Sequence, residues 1–85
     1  MDPNAAADIA TDTSRPWPER ADHATALIGW LDRGGFEPRW PGKPSFGGNT
    51  AARLWVRQQC EAIVAEAASR ARHPHRAGRV NPPSP

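Results

Sequence analysis

Gly34-Gly35-Phe36-Glu37-Pro38-Arg39-Trp40-Pro41-Gly42-Lys43-Pro44-Ser45-Phe46-Gly47-Gly48-Asn49-Thr50 separates two segments of helical periodicity and is unlike either. Gly and Pro fill about half of it, and three aromatic side chains are spaced through it. Connections between packed helices usually run about 2–8 residues, and longer ones without secondary structure are functional or disordered. Disordered linkers are poor in aromatics. The stretch therefore reads as an ordered, packed loop, with Phe36, Trp40 and Phe46 expected to plug the open end of two helices.

Upstream, Pro16-Trp17-Pro18 suits a helix start, since Pro is tolerated in the first turn where its missing N–H is not needed. Glu19 adds a negative charge at the positive end of the helix dipole. Ala21, Ala24, Leu27, Ile28 and Leu31 recur at spacings of three and four, which defines an apolar face. Arg20, Asp22 and Arg33 are assigned to the opposite face, and Trp30 to the border. Gly34-Gly35 supplies the left-handed conformation that closes helices. This spacing predicts a helix over about 18–33.

Downstream, Asn49 or Thr50 is a suitable N-cap. Residues 51–72 contain no Gly or Pro and are rich in Ala, Glu, Gln and Arg, all good helix formers. Ala52, Val56, Cys60, Ile63 and Ala67 share one face, with Val64 beside them. Leu54 and Trp55 lie off that stripe and give the helix a second apolar surface. A helix over about 50–72 is expected, stopped at His73-Pro74 because Pro disfavours helical geometry in the residue before it.

Residues 1–15 hold Asp2, Asp8 and Asp12, several Ala and Thr, and one aliphatic side chain, Ile9. Isolated helices under about 12–15 residues are marginal in water, so this segment is expected to be a disordered acidic arm. Residues 73–85 read as a disordered, basic, Pro-rich tail. The organisation expected is thus an arm (1–15), a helical domain (16–72) and a tail (73–85). The fold class is all-α, a two-helix antiparallel hairpin around a long Gly/Pro/aromatic connector. At roughly 1.5 kcal/mol of entropy per ordered residue, the apolar side chains of such a hairpin fall short of the ordering cost. Small chains commonly make up such a deficit by oligomerising, here by dimerisation into a four-helix arrangement.

Composition narrows the function. The formal net charge is +2 at pH 7, and Cys60 is the single cysteine, which excludes an internal disulfide. Gly42-Lys43 invites a phosphate-loop reading. However, Pro44 follows the lysine, Glu37 stands where that motif has Gly, and the preceding element is helical rather than a strand. Cys60 with His23, His73 and His75 matches no zinc spacing. No base and orienting group are placed near Cys60 for nucleophilic catalysis. Neither an enzyme, a metal, a cofactor nor a small-molecule substrate is expected. The first residues lack the basic flank and apolar run of a secretory signal, and no window reaches the ~18 apolar residues of a membrane span. A cytoplasmic location is expected.

What remains is interaction. Trp40, with Arg39 and Lys43 beside it, has the residue types enriched in binding hot spots. Phe46, Leu54 and Trp55 add contact surface. The expected function is a non-catalytic protein–protein interaction module, docking on a larger protein or on itself. The alternative is a nucleic-acid-associated protein that binds phosphates through Arg53, Arg57, Arg70, Arg72, Arg76 and Arg79.

Overall fold

The computed structural model describes residues 1–72 of the chain, and in that span it is all-helical: α1 (Pro3–Ala10), α2 (Trp17–Asp32) and α3 (Asn49–Arg72). The tail expected over 73–85, with Arg76 and Arg79, lies outside the described residues. The two longer helices fall within a residue of the boundaries their periodicity predicts.

The first departure is α1. The segment expected to be a disordered arm forms two turns of helix packed on α2. Asp2 caps it, its carboxylate accepting from the N–H groups of Asn4 (3.0 Å) and Ala5 (3.3 Å), and Pro3 occupies the first turn. At the other end the Thr11 hydroxyl donates to the Ala7 carbonyl at 2.8 Å. An eight-residue helix is too short to stand alone. Tertiary contact holds it: Ala6, Ala7 and Ala10 are buried, and the Arg20 Nε donates to the Ala10 carbonyl at 2.9 Å. Asn4 anchors the helix to the connector, its side-chain oxygen accepting from the Arg39 backbone N–H at 2.9 Å. These small alanines are what lets α1 lie close against its neighbour.

α2 ends in a Schellman closure. The Gly34 N–H donates to Leu31 (3.0 Å) and the Gly35 N–H to Trp30 (2.9 Å). Gly34 has φ +87°, in the region that L side chains avoid. Gly35 is held to glycine by packing, because a Cβ there would fall 2.3 Å from the Trp30 ring. Trp30 thereby covers the turn and donates its Nε1–H to the Phe36 carbonyl at 2.9 Å.

α2 and α3 run in opposite senses. Asp32, at the end of α2, meets Arg57 in the first half of α3, while Trp17, at the start of α2, lies against Arg70 near the end of α3. Arg57 grips the Asp32 carboxylate through Nε (2.8 Å) and Nη2 (3.2 Å), and Arg53 donates Nη2 to the Leu31 carbonyl at 2.5 Å. Two cations thus complement the negative end of the α2 dipole. At the start of α3 the Ala52 N–H bonds to the Gly48 carbonyl, so Gly48 stands at the cap position rather than Asn49 or Thr50.

The core joins all three helices: Ala6, Ala7 and Ala10 from α1, Ala24, Leu27 and Leu31 from α2, Val56 and Cys60 from α3. The connector contributes Pro38, one of the largest fully buried side chains. Beyond it, Trp40-Pro41-Gly42-Lys43 makes a turn closed by the Lys43 N–H on the Trp40 carbonyl (3.2 Å), with Gly42 at φ +75°.

Packing of α1 makes a prediction that a disordered arm would not. Ala7 is fully buried, so Ala7→Leu overfills the contact with α2 and lowers stability by about 1–3 kcal/mol. Chemical denaturation monitored by circular dichroism measures this. The same change at exposed Ala5 leaves the midpoint within about 0.5 kcal/mol of wild type.

Candidate partner-binding surface

None of the four Trp and two Phe side chains is buried. Alanine-lined helices leave little space for an indole between them, so the rings lie over the edges of the core. Trp30, Trp40 and Trp55 pack against it from outside. Phe36 meets Trp30 edge-on, with centroids 5.3 Å apart and planes at 88°, yet stays 58% exposed. Of the three connector aromatics expected to plug the helix pair, Trp40 reaches the core, Phe46 rests on Trp55 (6.2 Å, 51°), and Phe36 stays at the surface.

The partner-binding residues named from sequence do not form one cluster. Phe46 and Trp55 stack, and Leu54, one position earlier on α3, is 55% exposed. Lys43 pairs with the Glu37 carboxylate and sits 5.9 Å over the Phe46 ring, which ties it to this group. Trp40 faces elsewhere. It lines a groove of about 380 Å³ that also includes Trp17, Ile63 and Gln59. The Arg39 side chain is exposed, and only its backbone N–H has an assigned role, in holding Asn4.

Of the four described residues of the basic strip, Arg53, Arg57 and Arg70 are engaged within the chain. Arg53 and Arg57 hold the end of α2 as described, and Arg57 also pairs with Glu61. Arg70 bonds Glu66 at 2.8 Å and lies 4.8 Å from the Trp17 ring centroid. Arg72 is exposed at the end of α3.

Two functional candidates escaped the sequence reading. Trp17 carries guanidinium groups from two helices, Arg20 at 4.1 Å and Arg70 at 4.8 Å. Arg20 had been assigned to the polar face of α2, but it is only 8% exposed. Its number gives the missed signal, since 20, 24, 27 and 31 share the i, i+4, i+7, i+11 stripe. A cation on an apolar stripe announces either a paired ion or a site.

Electrostatics elsewhere follow local contacts. Hydrogen bonding to Arg57 holds the Asp32 carboxyl below its ordinary value, and hydrogen bonds from Ser14 do the same for Asp12. Burial pushes the Cys60 thiol up to about 12. Cys60 is a core side chain, and the His23 Nδ1 lies 2.9 Å from the Glu19 carbonyl oxygen. Among the described residues no group of three or more His, Cys, Asp or Glu converges as a metal site, and no helix is long and apolar enough to cross a membrane.

The chain matches no protein-family model, no curated protein and no solved structure.

The Cys60 thiol is protonated in the folded chain up to about pH 12, whereas an unfolded thiol ionises near 9. Above pH 9 the unfolded state therefore holds fewer protons, and stability falls as pH rises, by at most about 1.4 kcal/mol per unit. The chain has no Tyr, and comparison with Cys60→Ala isolates the thiol's contribution. Denaturation midpoints between pH 8 and 11 check this: Cys60→Ala flattens the decline, and the native thiol resists alkylation until the chain unfolds.

Proposed function

We propose that this chain is a non-catalytic protein–protein interaction module that associates with a second copy of itself through Leu54 and the Phe46–Trp55 pair. The observation that carries this reading is the exclusion of all six aromatic rings from the buried core. Its fully buried side chains are few and mostly small, with Leu27, Val56, Pro38 and Cys60 the largest. A core so furnished buries little apolar area per ordered residue, and association is the usual remedy in chains of this size.

Leu54, more than half exposed on a long helix, offers the centre of a contact. Trp55 and Phe46 supply rigid aromatic area at its edge, and Lys43 the polar rim. Pairing α2 and α3 with the same helices of another copy gives a four-helix arrangement, in which one isologous patch serves both partners. A cytoplasmic setting belongs to the same proposal. Nucleic-acid binding is disfavoured because Arg53, Arg57 and Arg70 already have partners, so phosphate contact would break existing contacts.

Sedimentation velocity at micromolar concentration tests the proposal. The expected result is a dimer whose dissociation constant rises at least roughly tenfold on Leu54→Lys, with the helical spectrum unchanged. A folded wild-type monomer at that concentration overturns it.

A further inference from the structure

The Trp17–Trp40 groove poses a question that self-association through Leu54 leaves unanswered. Arg20 lines it and is more than nine-tenths buried. Among the described residues its guanidinium makes one hydrogen bond, from Nε to the Ala10 carbonyl, and it has no carboxylate partner. The other four Arg side chains that form ion pairs or carbonyl contacts among the described residues, Arg15, Arg53, Arg57 and Arg70, lie nearer the surface. Residues 73–85 contain no Asp or Glu. The stem of Arg20 is thus buried, while its two terminal amino groups keep contact with solvent at the groove and, among the described residues, make no hydrogen bond. A guanidinium fork with both terminal amino groups accessible fits a carboxylate.

The surroundings narrow the occupant. Trp17 lies under the guanidinium at 4.1 Å, which fixes its plane. Trp40 and Ile63 supply apolar walls, and Gln59 and Thr11 supply polar groups able to meet a peptide backbone. Glu66, paired with Arg70, also borders the groove and places a negative charge beside it. That carboxylate disfavours a dianionic phosphate far more than a single carboxylate. The groove is open along one side, whereas small-molecule sites enclose most of their ligand.

We propose that this groove docks an acidic segment of a protein partner, with an Asp or Glu carboxylate seated on Arg20 and an adjacent apolar side chain between Trp40 and Ile63. The site deepens the interaction-module reading but uses a surface separate from Leu54. The bound carboxylate accepts from the terminal amino groups of Arg20, while Nε keeps its bond to Ala10 and so holds the fork in place through α1. Occupying the groove therefore ties the partner to all three helices.

The test is an NMR titration of the full chain with the peptide acetyl-Leu-Glu-Glu-Leu-amide, following the indole N–H resonances of Trp17 and Trp40. The control peptide has both Glu replaced by Gln; inorganic phosphate and an octathymidylate are titrated alongside. The acidic peptide is expected to move both resonances saturably, with the Gln peptide binding at least roughly tenfold more weakly. Arg20→Lys keeps the charge but loses the fork and is expected to weaken binding by a similar factor. The peptide comparison uses unaltered protein, so the test survives if that variant does not fold. Equal binding of the two peptides, no shift at millimolar peptide, or tighter binding of phosphate or octathymidylate overturns the proposal. Leu54→Lys is expected to bind the acidic peptide as wild type does. A monomeric protein that binds it sinks self-association alone, and a dimer that does not sinks the groove alone.

Discussion

Ala7, Ala10 and Ala24 carry nothing beyond Cβ, so α1 can lie against α2 with little between their backbones. That close approach is the constraint from which most of the structure follows. It lets an eight-residue helix persist where an isolated one would melt. It brings the Ala10 carbonyl over α2 within reach of Arg20, and so places a guanidinium where helical spacing alone would want an aliphatic side chain. It also leaves little room for large rings in the interior. The aromatics then become a rim, half in contact with the core and half turned outward.

The charged groups divide in the same way. At the end where α2 closes, Arg53 and Arg57 bond the Leu31 carbonyl and the Asp32 carboxylate, with the Arg53 Nε buried and without a partner among the described residues. At the opposite end Arg20 and Arg70 stack on Trp17; Arg70 is balanced by Glu66, and Arg20 has no carboxylate partner among the described residues. The end where α2 closes therefore carries an ion pair across the two helices, whereas at the other end Arg20 has no carboxylate partner among the described residues. The proposed docking groove is at the Trp17 end, and the exposed Leu54 belongs to the end where Arg53 and Arg57 fix the helix that presents it.

How far the sequence could be read depended on the size of the side chains doing the packing. α2 and α3 were legible because Leu27, Leu31, Val56 and Cys60 mark their stripes and because Pro16-Trp17-Pro18 and Gly34-Gly35 punctuate them. The order of the connector was also legible, since Pro38 and Trp40 have apolar area that a free linker would waste. α1 was not, because alanine contributes as much to a disordered arm as to a close-packed helix until a partner surface is specified. Arg20 was misplaced for a related reason: its charge outweighed its register, although the register was the better guide.

The amino-acid sequence by itself determined the all-helical class, the extents of the two long helices, and the clustering of Gly and Pro in the segment between them. Those properties rest on local energies, namely backbone propensity, capping, and the period at which apolar residues recur, and each can be evaluated within a few turns of chain. Only the tertiary structure decided that residues 3–10 fold onto α2, that Trp40 and Trp17 line one groove, and that Arg20 lies within it. These depend on which surfaces meet at long range, as in the bond between Asn4 and Arg39, thirty-five positions apart. Where side chains are as small as alanine, that meeting is set by the fit of backbones rather than by any residue conspicuous enough to announce it.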